Sequence, residues 1–280
     1  MCEEKPILQV KNLRKQFGDG CDYCRDLEEA HLEKNYCPKC GTVYACQNLN
    51  FEVYEGEILG VVGESGSGKS TMMQCLYFDK EVTEGEAYLT NYKNGEKNLF
   101  YESSQQKRYI RNNILGKVYQ NPILGLKMDF SCIGNIAEKL IAAGNKNVEF
   151  MTDRAKELLD KVNIPIFRMQ EQPKNFSGGM QQRVQIAKAL SNNPPILLLD
   201  EVTTGLDLSV QANVLDLIKK LQRELGISMI VVSHDLGVIR MLADRTIVML
   251  NGKIIESGLT DQILEDPQHE YTQQLVQSLL

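Results

Sequence analysis

The sequence lacks any apolar run long enough to cross a membrane. A spanning helix needs about 20 consecutive apolar residues, and no stretch of the 280 residues approaches that length. The opening residues, MCEEKPILQV, also lack the basic and then apolar pattern of a secretory signal. We therefore expect a cytoplasmic protein that reaches a membrane only through a partner.

Positive charge is not in excess either. The chain carries 31 Lys and Arg against 37 Asp and Glu, a net charge of -6. Nucleic-acid-binding domains usually present a basic face, so we predict no nucleic-acid partner. With 42% hydrophobic and 24% charged residues, the composition is that of a globular protein. The length suits one large domain, or one domain with an inserted module.

Cysteine, in contrast, is abundant. Four of the eight cysteines form two CxxC pairs, Cys21 with Cys24 and Cys37 with Cys40. In a reducing compartment such pairs more often hold a metal ion than form disulfides. Four thiolates at this spacing suit tetrahedral Zn²⁺. An iron–sulfur cluster and free thiols are the alternatives, and Cys46 offers a fifth thiol.

The segment that carries the paired cysteines, residues 18–44, shows little apolar periodicity and is too short to build a core. A bound metal would supply the missing order. Its residues 36–41, YCPKCG, resemble a zinc-ribbon knuckle. We expect Cys75 and Cys132 to be small buried side chains, and the same ordinary role fits Cys2. His31 and His269 are expected to be solvated, unless His31 joins the metal site.

The rest of the chain alternates strand and helix patterns. EILGVVG at 57–63 and PILLLDE at 195–201 are apolar at consecutive positions, as in strands buried on both faces. This alternation predicts an α/β core with a mostly parallel sheet. The helices between 131 and 190 are predicted to form a separate lobe, with Thr152 capping one of them. Residues 83–122 are predicted to be rich in strand.

A glycine-rich loop lies between a predicted buried strand and a predicted helix. Residues 63–70, GESGSGKS, match GxxxxGK[ST] in the structural context that this motif requires. Its glycines let successive backbone N–H groups surround a phosphate, and the helix start adds a favourable dipole. We predict that Lys69 contacts the β- and γ-phosphates, that Ser70 binds Mg²⁺, and that Thr71 reaches toward the α-phosphate. The predicted nucleotide-binding residues here are Gly63, Glu64, Ser65, Gly66, Ser67, Gly68, Lys69, Ser70 and Thr71.

Two acidic residues follow the second apolar strand. Asp200 and Glu201 end that strand, and ligands of open α/β sheets bind at strand ends. Asp200 can hold the Mg²⁺ and its water shell, while Glu201 can orient or deprotonate an attacking water. The pair therefore predicts hydrolysis of the nucleotide.

A third motif identifies a family. Residues 176–183, FSGGMQQR, resemble the signature sequence of ABC ATPases, and GLD at 205–207 and SHD at 233–235 agree with it. The resemblance covers essentially the whole chain except residues 18–44. It implies an α/β P-loop NTPase of the ABC ATP-binding cassette type, spanning 1–280. A RecA-like core would comprise 1–17, 45–122 and 191–280, with a helical lobe at 123–190 and a zinc-knuckle insertion at 18–44.

The resemblance also implies roles for single residues. Phe17 would stack on adenine, and the alternative is a core residue. Gln120 would help to hold Mg²⁺ and link the nucleotide site to a partner, and His234 would contact the γ-phosphate. The residues that would act across a homodimer, on ATP bound by the other subunit or at the interface, are Ser177, Gly178, Gly179 and Asp207.

The tail DPQHEYT at 266–272 resembles ATPases of peptide and nickel importers, and also the ATP-binding subunits of carbon–phosphorus lyase systems. The segment GLKMDFS at 125–131 favours the second group, because importers usually carry a Ser-Leu-Asn-Pro-like segment there. This implies a homodimeric ATPase, converting ATP and water to ADP and phosphate, that remodels a soluble carbon–phosphorus lyase complex. The alternatives are an importer motor that docks on a membrane permease and a scaffold that binds ATP without turnover.

Overall fold

A computed structural model describes residues 5–24 and 32–277. Cys2 and His31 lie outside these residues, so the predictions about them stay predictions. The chain divides into two compact units. Unit one comprises Met1–Tyr54, Leu59–Glu102 and Val232–Leu280, and unit two comprises Glu55–Ile58 and Ser103–Val231. The division into core, lobe and insertion expected from the sequence likewise stays a prediction.

The described strands and α-helices alternate along much of the chain. The strands are β1 (Leu8–Phe17), β2 (Val43–Val53), β3 (Ile58–Val62), β4 (Glu84–Leu89), β5 (Leu115–Val118), β6 (Ile196–Asp200), β7 (Ser228–Val232), β8 (Arg245–Leu250) and β9 (Lys253–Leu259). The helices are α1 (Lys69–Leu76), α2 (Ser104–Asn113), α3 (Pro122–Gly125), α4 (Cys132–Ala142), α5 (Val148–Lys161), α6 (Gly178–Ala189), α7 (Leu208–Leu225), α8 (Leu236–Leu242), α9 (Thr260–Glu265) and α10 (Glu270–Gln277).

Unit one contains a three-stranded antiparallel sheet in the order β2-β1-β4. Leu8 of β1 lies opposite Val53 on one side and Leu89 on the other. The β1–β2 register shifts between Val10 and Leu13, where Asn12 has a left-handed φ of 49°. This irregularity lets β1 bury apolar side chains three positions apart, where a regular strand alternates every two residues.

The other strands of unit one confirm the predictions of a fully buried strand and of parallel strand pairing. All five residues of β3 are buried, as its unbroken apolar run predicts, and β3 pairs with β8 in parallel. β8 turns back into the antiparallel β9 through Asn251 and Gly252, whose φ angles are 49° and 78°. Positive φ at both turn residues is the geometry that suits a two-residue hairpin.

In unit two, β5, β6 and β7 are neighbours in that order, and β5 runs parallel to β6. All five residues of β6 are buried, so Asp200 and Glu201 mark the end of a core strand. Helices α4, α5 and α6 supply further apolar contacts within this unit. Ile136 and Leu140 of α4 and Leu158 of α5 are among the buried side chains.

Two local predictions are wrong. The stretch predicted as rich in strand contains α2, which Ser103 caps by accepting the N–H of Gln106. Ile110 is the only buried residue of α2, so an apolar period could not reveal the helix. Thr152 does not cap α5. Asn147 accepts the N–H of Phe150 in that role, and the Thr152 hydroxyl donates to the Val148 carbonyl inside the helix.

Within residues 5–24 and 32–277, none of the helices combines the length and the apolar character that a membrane span requires.

Candidate nucleotide site and cysteine cluster

The phosphate-binding loop connects β3 to α1 within unit one. Gly63 and Gly68 have φ angles of 148° and 104°, which favour glycine. A Cβ on Gly68 would lie 2.0 Å from the carbonyl oxygen of Ala45 in β2, and one on Gly63 would lie 2.1 Å from that of Met249 in β8. No side chain fits at either position, so the loop curls against two strands through backbone alone.

Lys69 is buried inside this loop. Its Nζ donates hydrogen bonds to the carbonyl oxygens of Gly63 and Glu64, at 2.7 and 2.9 Å, and to Ser67 Oγ at 3.4 Å. These three acceptors hold the ammonium inside the loop. The ammonium thus lies within the loop, and its contact with the β- and γ-phosphates stays a prediction.

A tyrosine from the C-terminal helix contacts the same loop. The backbone N–H of Glu64 donates to the Tyr271 hydroxyl at 2.8 Å, and burial raises the pKa of Tyr271 above its ordinary value. The turn before α10 is held by Glu256, whose carboxylate accepts the N–H groups of Gln268 and His269 at 2.7 and 3.0 Å. No local pattern in the sequence links a tail tyrosine to a loop 207 positions earlier, so the contact of Tyr271 with the loop was not predicted.

His269 is not simply solvated. It is half-buried, and its Nδ1 accepts the backbone N–H of Tyr271 at 3.0 Å. The imidazole thereby helps to begin α10, so the prediction of a solvated His269 is wrong.

Phe17 ends β1 with its ring 40% exposed. This exposure argues against a core residue and leaves the ring available for stacking. The ammonium groups of Lys15 and Lys80 lie 5.2 and 5.1 Å from the ring centroid. Phe17 pairs with Val43 of β2, two residues before the Ala45 carbonyl that abuts the phosphate loop, and two extended residues span about 7 Å.

His234 also lies near the phosphate loop within unit one. Its predecessor Ser233 donates its N–H to the carbonyl of Val61, two residues before the loop begins, at 3.1 Å. The imidazole is exposed. Asp235 then starts α8 by accepting the N–H of Gly237 at 2.7 Å. The structure thus places His234 at the strand end from which the loop departs.

In unit two, the structure brings Gln120 and Glu201 together. Gln120 Nε2 donates to Glu201 Oε2 at 3.0 Å, and the Thr204 hydroxyl lies 3.3 Å from the same oxygen. Glu201 has a left-handed φ of 47°, a conformation that costs energy for a residue with a side chain and is found most often at functional sites. Its neighbour Asp200 is buried at the end of β6.

The predicted signature residues lie at the start of α6 in unit two. Ser177 caps this helix of 12 residues, with Met180 N–H 3.4 Å from its Oγ. Asp207 caps α7 by accepting the N–H of Val210 at 3.0 Å. A Cβ on Gly179 would lie 2.3 Å from Val210 Cγ1, so glycine permits the two helix starts to pack closely. Ser177, Gly178 and Asp207 are exposed.

The predicted site residues thus fall into two groups. The phosphate loop 63–71, Phe17 and His234 belong to unit one, while Gln120, the signature 177–179, Asp200, Glu201 and Asp207 belong to unit two. The joint magnesium site of Ser70, Gln120 and Asp200 stays a prediction.

A buried glutamine that was not predicted holds the segment around Gln120. Gln185 of α6 is 1% exposed. Its Oε1 accepts the N–H of Tyr119 at 2.6 Å, and its Nε2 donates to the Tyr119 carbonyl at 3.1 Å. A Cβ on Gly125 would lie 2.2 Å from Gln185 Oε1, and Lys188 Nζ donates to the Gly125 carbonyl at 2.9 Å. Helix α6 therefore holds both ends of the segment that contains Gln120.

The four paired cysteines come together in unit one, with their sulfur atoms all within 4.8 Å of one another. The Sγ distances are 3.6 Å for Cys21–Cys24, 4.0 Å for Cys21–Cys37 and 3.5 Å for Cys24–Cys40. A tetrahedral site with zinc–sulfur bonds of about 2.3 Å has edges of about 3.8 Å. The cluster therefore has the dimensions of a closed four-thiolate metal site.

The thiols differ in how readily they ionise. The hydrogen bond with Thr42, whose Oγ1 lies 3.2 Å from Cys40 Sγ, lowers the pKa of the Cys40 thiol to about 6. Burial raises the pKa of the Cys21 thiol to about 11, so metal binding there would release a proton.

The remaining described cysteines lie outside the cluster. Cys46, Cys75 and Cys132 are buried, as predicted for the last two. Burial raises the pKa of Cys75 and Cys132 to about 11 and that of Cys46 further, which keeps these thiols protonated. Cys46 is not among the four cysteines whose sulfur atoms lie together.

Comparisons with known proteins agree with this geometry. The family model described as "ABC transporter" matches residues 46–204. The putative phosphonates utilization ATP-binding protein PhnK of Escherichia coli K12 is 43% identical over 276 residues, covering 99% of this chain and 98% of PhnK. The oligopeptide transport ATP-binding protein OppD of Bacillus subtilis is 39% identical over 262 residues, covering 91% and 72%. The dimeric ATP-binding cassette MJ0796 bound to ADP and Pi superposes with a TM-score of 0.74 at 30% identity, covering 90% and 98%.

The hydrogen bonds of Gln185 with Tyr119 should matter for catalysis. We expect Gln185→Ala to lower the turnover number for ATP by about tenfold or more with little change in KM. Releasing Tyr119 moves the adjacent Gln120 away from Glu201, and small misplacements of reacting groups are costly. Steady-state phosphate release measures this effect.

Asn135→Ala is the matched control. Asn135 is also a buried amide that pairs with both backbone groups of one residue, Lys127, at 2.8 and 3.0 Å. Each variant should lose about 1–3 kcal/mol of stability, measured by thermal unfolding, but Asn135→Ala should keep its turnover. Equal turnover in the two variants would contradict a specific role for Gln185.

Proposed function

Because the chain belongs to the ABC transporter family of ATP-binding domains, whose members hydrolyse ATP, we propose that two copies pair face to face around two ATP molecules. The observation that carries the proposal is the exposed start of α6. Ser177 and Gly178 present a hydroxyl and backbone N–H groups to the outside of the chain. A helix start of this kind binds anions, and the γ-phosphate held by a second copy is the anion that fits.

The roles proposed within the site follow from side-chain chemistry. The phosphate loop and Lys69 bind the β- and γ-phosphates through N–H groups and one fixed positive charge. Ser70, Gln120 and Asp200 would hold Mg²⁺, which neutralises charge on the phosphate oxygens. Glu201 accepts a proton from the attacking water, and Gln120 holds that carboxylate in place. Water then takes the γ-phosphoryl group, and ADP and phosphate leave.

We expect Glu201→Gln to reduce phosphate release by about 100-fold or more, because an amide cannot accept the proton of the water. ATP binding should persist, so dimers held together by ATP should accumulate and be visible by light scattering. Glu224→Gln is the control, since that carboxylate lies on α7 in a long surface ion pair with Lys220. An unchanged rate in Glu201→Gln would exclude the catalytic role.

The partner proposal concerns an exposed apolar surface in unit two. Its residues are Ile123, Leu124, Phe130 and Phe167, here called the docking surface. Phe167 is 85% exposed. We propose that these four side chains form one patch, since contiguous exposed apolar patches usually mark interaction sites.

Hydrogen bonds join the two segments that carry the docking surface. Gln172 Nε2 donates to the Asp129 carbonyl at 2.8 Å, and Ile133 N–H donates to the Met169 carbonyl at 3.0 Å. The surface is also connected to the nucleotide site, because Ile123 and Leu124 lie between Tyr119 and Gly125, both held by α6. Force applied by a partner at this surface would therefore reach the segment that carries Gln120.

We propose that the partner is a soluble carbon–phosphorus lyase complex, which closure of the ATP-bound dimer remodels during phosphonate breakdown. The extended similarity to PhnK over nearly the full length of both chains supports this choice. The similarity to OppD favours the alternative, a motor subunit that docks on a membrane permease of a peptide- or nickel-type importer.

Capture of the tagged full chain from its native host, followed by mass spectrometry, tests the partner. We expect soluble phosphonate-lyase subunits to be recovered with the unaltered chain. Phe167→Ser should reduce this recovery severalfold by removing apolar contact area. Tyr101→Ser should not, since Tyr101 is an exposed aromatic that is not part of the docking surface. Recovery of a membrane permease would overturn the lyase proposal in favour of the importer.

For the cysteine cluster we propose structural Zn²⁺ held by Cys21, Cys24, Cys37 and Cys40. The sulfur spacing supports a closed tetrahedral site without an open position for substrate. Zinc would order the insertion and take no part in hydrolysis.

Elemental analysis of anaerobically purified protein should find about one zinc per chain, the stoichiometry of a closed four-thiolate site. Cys37→Ser should lose most of this zinc, because it removes a buried ligand, whereas Cys132→Ser should retain it. Iron together with sulfide in the purified protein would instead identify an iron–sulfur cluster.

A further inference from the structure

The cysteine cluster and Phe17 share one end of the β1–β2 hairpin. Phe17, the last residue of β1, pairs with Val43, the first residue of β2. Val43 also forms a bridge with Tyr36 inside the insertion. The next residue, Tyr44, donates its N–H to the Asn35 carbonyl at 2.7 Å. Residues 35 and 36 of the insertion are therefore hydrogen-bonded directly to the start of β2, which pairs with Phe17.

Thr42 connects the two cysteine pairs to this strand end. Its hydroxyl accepts the N–H of Gly20 at 3.0 Å and lies 3.2 Å from Cys40 Sγ, and its carbonyl accepts the N–H of Cys37 at 2.9 Å. A Cβ on Gly18 would lie 2.7 Å from Thr42 Oγ1. Gly18, the residue directly after Phe17, thus packs closely on Thr42, and Thr42 also contacts Cys37 and Cys40.

The apolar cluster among the described residues of this part of the chain is small. The buried cluster here consists of Cys24, Cys37 and Tyr44, with Cys21, Tyr23 and Leu32 packed against it. Three of these six side chains are proposed metal ligands. Closing a loop of about 25 residues carries an entropic cost, and so small an apolar cluster does not offset it alone. Sulfur–metal bonds would therefore add a further constraint on the hairpin end, beside the pairing of β1 with β2.

The ring of Phe17 has little core packing of its own to hold it. Because it is 40% exposed, its position follows the backbone of the hairpin end. The phosphate loop is anchored separately, by the Gly252 N–H donating to the Ser67 carbonyl at 3.0 Å and by the hydrogen bonds of Lys69. Loss of metal would thus displace the base-stacking residue and leave the phosphate-binding residues in place.

We propose that metal bound by the four cysteines clamps Phe17 for stacking on the nucleotide base, so that metal occupancy sets the affinity for ATP through its base. The inference rests on the metal site proposed above. It assigns the insertion a role in nucleotide recognition that is independent of any partner complex.

The test compares two ligands on the full chain, before and after metal is stripped with a chelator and the protein is exchanged into Mg²⁺ buffer. Calorimetry measures the binding of ATP and of tripolyphosphate, which has phosphates but no base. Stripping should weaken ATP binding by about threefold to tenfold, the value of one aromatic stacking contact. Tripolyphosphate binding should not change, which also shows that the stripped protein is folded. Added Zn²⁺ should restore ATP affinity.

Variants locate the effect. Cys37→Ser should reproduce the stripped state, and Cys132→Ser should behave as the unaltered chain. Phe17→Ala should weaken ATP binding to a similar extent in the metal-loaded protein, and stripping should then add little, because both changes remove the same contact. Equal ATP affinity with and without metal would overturn the proposal. So would parallel loss for ATP and tripolyphosphate, or full ATP affinity in Phe17→Ala.

Metal analysis precedes the binding measurements and separates two kinds of failure. Protein purified anaerobically without metal would refute the metal site itself. Metal-loaded protein whose ATP affinity ignores stripping would refute only the clamp.

Discussion

The close approach of three backbone segments is the constraint on which the nucleotide site depends. The phosphate loop leaves no space for a Cβ at Gly63 or Gly68, because carbonyl oxygens of β8 and β2 occupy that space. The loop therefore takes its shape from two strands that belong to different hairpins. One of those hairpins carries Phe17, and the turn of the other supplies Gly252, whose N–H donates to Ser67. The shape of an anion site is thus set by sheet packing, and its charge comes from one buried lysine.

In unit two, side-chain amides rather than backbone contacts position the site residues. Gln120 has to meet Glu201, yet Gln120 is exposed and lies in a connecting segment just after β5. Such a segment would be mobile without anchors. Gln185 supplies one anchor through the oxygen and the nitrogen of its side-chain amide, and Lys188 supplies the other. Because both anchors belong to the helix that begins with the signature serine, a displacement of α6 moves Gln120 with it.

The sequence predicted the parts of the site that are contiguous. The phosphate loop, the acid pair and the signature each occupy neighbouring positions with a chemical reason for their order, and the structure places each on the expected element. Gln185 and Tyr271 were missed, because their partners are backbone groups 66 and 207 positions away. Helix α2 was missed for another reason: it is nearly all polar, so periodicity carried no signal. Long-range contacts to backbone leave no trace in residue type.

The position of the cysteine insertion follows from the same constraint. A hairpin end tolerates extra chain, since each doubling of the length of a flexible loop adds only about 0.6 kcal/mol to the free energy of closing it. This hairpin end, however, lies two residues from the Ala45 carbonyl that shapes the phosphate loop, and it carries the exposed ring of Phe17. An insertion that stayed disordered would loosen the end of the hairpin that positions this ring, while the Gly252–Ser67 hydrogen bond and those of Lys69 still hold the phosphate loop. Four cysteines spaced to bind one metal ion would restrict this motion. Cys21 and Cys24 follow Phe17 and Cys37 and Cys40 precede Val43, so one metal ion would tie together the two chain segments that leave this pair.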